Sequence, residues 1–312
     1  MKALLIGCSS IAERRALGAL AGLPGISAVD AASRRGREAS AGFVRGGTAY
    51  DTPEEALRSS DAALVYVSTE NGDHAQWAEA ALASGRHVVV DKPAFDDDTI
   101  TRRFVADAEA RGLVIAEATV FLDHPRLAAL AALMQDAGRA TGVQACFSFP
   151  PLPKDNFRYD PARGGGAIND LGPYAAATAR WFFGREPEHV DGRVLARDNV
   201  ETAFAVTATY AGGGCFSGLY GFNTEYQNWM SAAGPGFAVR LDRFCTPPPD
   251  AALPIGARRA NRELTIECAA GDAFALMFSR VLDAIGTDGG ESLHRDMIAD
   301  AEFRSRLRNA AR

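Results

Sequence analysis

Ala3-Leu-Leu-Ile-Gly-Cys-Ser-Ser-Ile-Ala12 is the stretch that sets the fold class. Four apolar residues in a row, with no polar alternation, are what a parallel strand covered on both faces requires. A small-residue turn follows, and then a helical pattern from Ile11 to Ala21 that stops at Gly22 and Pro24. The rhythm repeats outward from there. Ser27–Ala32 reads as a second strand, Pro53–Ser59 as a helix before the strand Ala62–Val67, and His74–Ala83 as a helix before His87–Val90. Thr99–Arg111 then leads into Leu113–Ala116. Strand and helix alternating through about 115 residues predict a doubly wound parallel α/β sheet, a Rossmann domain over residues 1–121.

In such a sheet the first strand-to-helix turn is the phosphate site. Here it reads Gly7-Cys8-Ser9-Ser10-Ile11-Ala12, a G-x-G-x-x-A pattern whose middle glycine is a serine. Taken alone, such a turn also occurs in proteins that bind no nucleotide. The end of the second strand adds Ser33, Arg34 and Arg35 where a ribose is read. A hydroxyl and two guanidinium groups suit a 2′-phosphate, so NADP(H) is preferred over NAD(H). The bland alternative is that both arginines are solvated surface charges. Two further polar segments fall at carboxyl ends of strands, where open α/β folds bind ligands. One is Ser68-Thr69-Glu70-Asn71-Gly72-Asp73-His74, with His74 read as a helix-start residue; the other is Asp91-Lys92-Pro93. These give Gly7, Ser9, Ser10, Ile11, Ala12, Ser33, Arg34, Arg35, Ser68, Thr69, Asn71, His74, Asp91, Lys92 and Pro93 as cofactor-site candidates.

From Leu122 the pattern changes. A helix at Pro125–Gln135 precedes a strand at Gly142–Phe149 and a proline-rich segment. Strand candidates then follow at His189–Ala196, Thr202–Tyr210, Gly213–Tyr220, Tyr226–Ala232, Phe237–Leu241 and Glu263–Cys268, divided by glycine turns. Strands in succession predict an antiparallel sheet, hence an α+β domain over residues 122–312 that ends in helices at Ala273–Ile285 and His294–Asn309. Between the two strand regions lies Gly164-Gly-Gly-Ala-Ile-Asn-Asp-Leu-Gly-Pro-Tyr174. Asn169 is the expected N-cap of a helix that carries Asp170 and Tyr174 on one face, with Pro173 in its first turn. From this stretch alone Tyr174 is equally a core aromatic or a reacting group.

Composition excludes several classes. The 312 residues carry a net charge of −6, with 47% hydrophobic and 23% charged residues, an ordinary globular balance without a nucleic-acid footprint. No apolar run approaches the ~20 residues of a membrane helix. Leu-Ile-Gly-Cys8 imitates a lipoprotein cleavage site, but the apolar run before it is shorter than the about 7–15 residues a signal peptide needs. Five scattered cysteines without C-x-x-C indicate neither a disulfide framework nor a zinc site. A cytoplasmic, metal-free protein is expected.

Four motifs in order carry a resemblance: Gly7-Cys-Ser-Ser-Ile-Ala12, Ala32-Ser-Arg-Arg35, Asp91-Lys-Pro93 and Gly164-Gly-Gly…Asp170-x-Gly172-x-Tyr174. Together the chain resembles the Gfo/Idh/MocA oxidoreductases, and within them the NADPH-dependent nucleotide-sugar 3-ketoreductases. The likeness extends to Ile11-Ala-Glu-Arg-Arg-Ala16, Phe121-Leu-Asp-His-Pro125, Asn156-Phe-Arg-Tyr159 and Phe244-Cys-Thr-Pro-Pro248.

The resemblance implies a large open antiparallel sheet in the second domain, pairing of subunits into a homodimer or homotetramer, and reduction of a keto group on a nucleotide-activated hexose. It makes Lys92, Tyr174 and Asp170 the catalytic candidates: Tyr174 as proton donor, Lys92 as its electrostatic partner, Asp170 as the orienting carboxylate. Lys92, Arg158, Tyr159, Asp170 and Tyr174 are the substrate candidates, Arg158 for a phosphate. Ser9, Glu70 and Asp91 stand where the family has glycine, proline and glutamate. A free-sugar, polyol or diol dehydrogenase of the same family, and a catalytically silent sugar- or nucleotide-binding member, are the alternatives.

Overall fold

The computed structural model describes residues 1–184 and 186–311. The chain divides into two compact units, Met1–Ala118 with Phe274–Ile298, and Thr119–Ala273 with Ala299–Arg312. The first boundary thus falls at 118/119, and the segment Phe274–Ile298 packs with the first unit.

In chain order the first unit holds β1 (Lys2–Ile6), a π-helical turn (Ala12–Ala16) running into α1 (Leu17–Ala21), β2 (Ala28–Ala32), α2 (Arg37–Ala41), β3 (Gly46–Tyr50) and α3 (Pro53–Ser59). It continues with β4 (Leu64–Val67), α4 (His74–Ala83), β5 (His87–Val90), α5 (Asp98–Ala110) and β6 (Ile115–Glu117). The six strands are parallel in the order β3-β2-β1-β4-β5-β6. Strand order reverses between β1 and β4, so the loops after these two strands flank the switch point where such sheets bind ligands. β1, β4 and β5 are buried nearly throughout, as their unbroken apolar runs require.

Asp30 in β2, fully buried, is a structural carboxylate. It accepts the Thr48 N–H and the Ser60 hydroxyl, both at 2.7 Å, and so ties β2 to β3 and to the segment before β4. Tyr66 of β4 meets Phe278 edge-on, with ring centroids 5.2 Å apart.

The second unit opens with a 3₁₀ turn (Val120–Asp123) and α6 (Pro125–Ala137). There follow β7 (Gly142–Ser148), two 3₁₀ turns (Phe157–Tyr159 and Pro161–Arg163) and α7 (Ala167–Phe183). The strands β8 (His189–Arg197), β9 (Glu201–Tyr210), β10 (Gly214–Gly221), β11 (Gln227–Gly234), β12 (Phe237–Asp242), β13 (Ile255–Arg259) and β14 (Arg262–Ile266) complete it. Two helices end the chain, α8 (Ala273–Ala284) and α9 (Gly290–Ala310).

The eight-stranded sheet runs β14-β13-β12-β11-β7-β10-β9-β8. It is antiparallel except for one parallel pair, β7 with β10. The exception has a topological cause: α7 and the β8–β9 hairpin intervene before β10 reaches the side of β7. The sheet's covered face packs on α6 and α7 around Phe147, Phe204, Phe216, Met230 and Leu241.

The start of α7 differs from the sequence expectation. Its N-cap is Gly166, at φ 111, and Asn169 lies inside the first turn, where its Nδ2 donates to the carbonyls of Gly164 and Gly165 at 3.3 and 3.2 Å. Pro173 accordingly sits inside the helix, in the second turn. The cap that Gly166 lacks comes from elsewhere: Glu201 Oε1, at the start of β9, accepts the Ile168 N–H at 3.1 Å. Among the described residues, no helix is long and apolar enough to cross a membrane, and no cluster of three or more His, Cys, Asp or Glu could hold a metal ion.

Two stability measurements follow from these contacts. Asp30→Ala strands one backbone N–H and one hydroxyl, and should lower the unfolding free energy by roughly 2–4 kcal/mol in a urea titration. His124, the N-cap of α6, is 1% exposed, and burial followed by the nearby Arg126 charge lowers its pKa to about 4. The unfolded chain binds this proton near pH 6.5, before the folded chain does. Urea midpoints should therefore fall as the pH drops from about 6.5 toward 4, and His124→Asn, which keeps a capping acceptor, should flatten that fall.

Candidate active site

In the first unit the candidates collect around the ends of β1, β4 and β5. Gly7 has φ 97, and a Cβ there would run into the Ser68 carbonyl. That close approach brings the hydroxyls of Ser9 and Ser68 to 2.7 Å of each other. Ser9 Oγ also accepts the Ala12 N–H at 3.0 Å, so it caps the turn whose amides a phosphate would use.

Ser68 donates onward to Asp91 Oδ2 at 2.5 Å, and the Tyr66 hydroxyl donates to Asp91 Oδ1. Burial raises the Asp91 pKa, opposed by these two hydrogen bonds and by the charges of His74 and Lys92. Burial and the neighbouring carboxylate hold the Tyr66 phenol well above its ordinary value, so it stays a donor. Tyr66 was not visible as a site residue in the sequence, because it reads there as one more apolar position of β4.

Lys92, half-buried, precedes Pro93 through a cis peptide bond. His74 starts α4 as expected and is 1% exposed. Its Nδ1 lies 2.8 Å from the Pro93 carbonyl and its Nε2 lies 3.3 Å from that of Thr69, which clasps the loop after β4 to the end of β5. Thr69 and Asn71 are half-buried, and Asn71 opens a 3₁₀ turn, Asn71–Asp73. Ser10 is exposed and Ile11 half-buried at the start of the helical turn.

Past β2, Ser33 is buried and its hydroxyl accepts the Arg35 N–H at 3.1 Å. Arg34 pairs with Asp73, and Arg35 donates to the Cys8 carbonyl. The two guanidinium groups are exposed beside the phosphate turn, an arrangement whose donors fit a 2′-phosphorylated ribose. The Cys8 thiol is raised by burial, against Ser33 and Arg35, and so remains a thiol.

In the second unit, α7 presents Asp170 and Tyr174 one turn apart. Asp170 is 3% exposed and accepts from Arg158 Nε at 2.7 Å. The arginine expected to contact phosphate is thus held by the expected orienting carboxylate. The Tyr174 ring lies against Phe121 and Phe147, with centroids at 5.4 and 5.1 Å. Tyr159 accepts the Leu152 N–H on its hydroxyl at 3.0 Å and meets Phe222 edge-on.

α7 is braced along its length from α9. Arg180 makes two bonds to Asp300 at 2.7 and 2.9 Å, and Arg308 donates to Asn169 Oδ1 at 2.6 Å. These braces and the Glu201 cap join residues far apart in the chain, which no local motif announces.

Known proteins match this arrangement along both units. Residues 1–119 match the model of an oxidoreductase family with an NAD-binding Rossmann fold, and residues 130–239 match the GFO/IDH/MocA C-terminal domain. The dTDP-3,4-didehydro-2,6-dideoxy-alpha-D-glucose 3-reductase of Streptomyces antibioticus is 33% identical over 250 residues, 78% of this chain and 76% of that protein. Its counterpart from Actinomadura kijaniata is 34% identical over 251 residues, 78% and 75% of the two chains. Among solved structures, a 3-ketoreductase from Actinomadura kijaniata in complex with NADP and TDP-benzene superposes with a TM-score of 0.92 at 29% identity, covering 100% of this chain and 98% of that one. Two domain models matched in order, and relatives a third identical over three quarters of their length, make the chain a member of the GFO/IDH/MocA oxidoreductase family.

Proposed function

We propose that the chain is an NADP(H)-dependent ketoreductase acting on the keto group of a nucleotide-activated hexose. The observation that carries this reading is the identity of about one third, over three quarters of their length, with reductases of a dTDP-linked keto sugar. The cofactor half is supported by the donor set: Ser33, Arg34 and Arg35 offer a 2′-phosphate a hydroxyl and two guanidinium groups. Gly7, Ser9, Ser10, Ile11 and Ala12 would hold the diphosphate, and Ser68, Thr69, Asn71, His74, Asp91, Lys92 and Pro93 the nicotinamide side. When bound, the reduced cofactor supplies the hydride.

The chain's own residues then have to supply a proton and a positive charge. We assign the proton to Tyr174, the charge beside the carbonyl oxygen to Lys92, and the orientation of the reacting groups to Asp170. Tyr159 is placed among the substrate contacts. Leu195 and Leu219, exposed at 48% and 42% on β8 and β10, are offered as part of a subunit interface in a homodimer or homotetramer, and the enzyme as cytoplasmic.

Reduction of a nucleotide-linked keto-hexose, followed by the loss of NADPH absorbance, tests the reading against free sugars, polyols and diols. Turnover confined to the unlinked compounds would replace it with the dehydrogenase alternative, and a chain that binds no NADPH in a fluorescence titration cannot be either enzyme. Tyr174→Phe should lower turnover about 10²–10³-fold while leaving NADPH affinity within about twofold, measured by steady-state kinetics and fluorescence. Arg34→Gln should weaken NADPH binding about tenfold or more and NADH binding much less, because only NADPH carries the 2′-phosphate that the guanidinium would meet.

A further inference from the structure

Arg158 entered as a phosphate candidate, yet its surroundings describe a different task. Its backbone is fixed at both ends. The N–H donates to Asn156 Oδ1 at 3.1 Å, and the carbonyl accepts the Gly166 N–H at 2.9 Å. A Cβ on Gly165 would stand 2.6 Å from the Arg158 carbonyl and 2.7 Å from that of Asp160, so the glycine loop and the 3₁₀ turn close on each other without slack. The head group is fixed too: the guanidinium carbon lies 4.7 Å from the centre of the Phe157 ring, and Nε binds Asp170 Oδ2 at 2.7 Å. These restraints commit the Nε of Arg158 to Asp170.

The neighbouring charges give the restraints a purpose. Asp170 is a buried carboxylate one turn from Tyr174. Alone, it would oppose negative charge on the phenol. Arg158 cancels it and sits within electrostatic reach of the same phenol. Burial lowers the Arg158 pKa, but Asp170 and then Tyr174 raise it further, so the guanidinium is charged at every working pH.

We propose that Arg158 is a positioning and charge-compensating residue for proton transfer: anchored on Asp170, it offsets that carboxylate and stabilises the phenolate that Tyr174 becomes. The proposal rests on the assignment of Tyr174 as proton donor. In the step, the carbonyl carbon gains the hydride that a bound reduced nicotinamide would supply, the cofactor being oxidised as the ketone is reduced; the C=O π pair moves onto oxygen, and that oxygen takes the proton of Tyr174 Oη. The phenolate left behind recovers a proton from water, and Arg158 keeps its own throughout.

The sign follows from the charges. A guanidinium favours phenolate and lowers the pH at which Tyr174 ionises; a bare carboxylate raises it. Reduction needs the protonated tyrosine, so its rate falls on the alkaline side as Tyr174 ionises. Removing Arg158 should move that limb upward and weaken the acid.

The decisive measurement is an ultraviolet titration of the unliganded chain, taking each protein minus its Tyr174→Phe counterpart so that only this phenol is read. Arg158→Gln should raise the midpoint by about 1–2 pH units, Arg158→Lys should keep it within about half a unit, and Asp170→Asn should lower it by about 1 unit. In turnover, the alkaline limb of the reduction rate for Arg158→Gln should shift in the same direction, with kcat down about tenfold and the KM for a nucleotide-linked keto sugar within about twofold.

Midpoints that do not move, or that move the same way in Arg158→Gln and Asp170→Asn, overturn the proposal. So does a raised KM with an unmoved limb, which would return Arg158 to the phosphate. If Arg158→Gln fails to fold, Asp170→Asn must still lower the midpoint while Arg158→Lys leaves it within about half a unit, and an unmoved Asp170→Asn midpoint overturns the proposal. Shifted midpoints in a chain that reduces no keto sugar would leave this charge assignment standing and remove the functional reading instead.

Discussion

The close approach of β1 and β4, where Gly7 meets the Ser68 carbonyl, is the constraint on which the first unit's chemistry depends. Parallel strands sit about 4.8 Å apart, and their ends can come together only where one side carries no side chain. Because Gly7 permits it, the loop after β4 lies over the turn after β1, and a run of hydroxyls connects Ser9 to Ser68 and Ser68 to Asp91. Asp91 then receives Tyr66 on its other oxygen. The end of β5, and with it Lys92, is therefore tied to the turn after β1 by the side chains of Ser9, Ser68, Tyr66 and Asp91.

Two departures from the family pattern gain a meaning here that they lack separately. Ser9 in place of a glycine adds a Cβ and a hydroxyl to the turn after β1. In the fold its hydroxyl is occupied, accepting one backbone N–H and meeting Ser68. Asp91 in place of a glutamate is shorter, and the hydroxyls of Ser68 and Tyr66 reach it. Neither compensation can be seen from spacing along the chain, because it exists only in the spatial order β1-β4-β5.

Elements whose own composition dictates them were legible. The helices Pro53–Ser59 and His74–Ala83 and the strand His87–Val90 lie where the apolar pattern puts them. What escaped were elements that their neighbours create. β3, Gly-Gly-Thr-Ala-Tyr, is an edge strand with little apolar content, held by pairing with β2 and by Asp30. β13 begins Ile-Gly-Ala and pairs between β12 and β14, again without a strong run of its own. The same distinction explains α7: Asn169 has the chemistry of an N-cap, but the helix extends back to Gly166 because Glu201 is available across the fold to accept the Ile168 N–H. At the candidate site, the residue types were legible one by one, and their partners were not. Arg158 and Asp170 were both singled out, each for a ligand, and the structure pairs them with one another.

That pairing follows from where α7 begins. Its N-terminus gathers two carboxylates, Glu201 outside the helix and Asp170 in its first turn, both favoured by the unpaired amides and the dipole there. Glu201 is used on the Ile168 N–H. Asp170 faces the side on which Tyr174 follows one turn later, where the dipole has weakened. A phenol in that position meets negative charge from the turn before it and little help from the helix. A cation from outside the helix offsets that negative charge, and the Phe157–Tyr159 turn supplies one in Arg158. The folding of the glycine loop onto that turn and the electrostatics around Tyr174 are one arrangement: the contact that lets Gly165 and Gly166 pack against the Arg158 carbonyl also fixes where its positive charge lies.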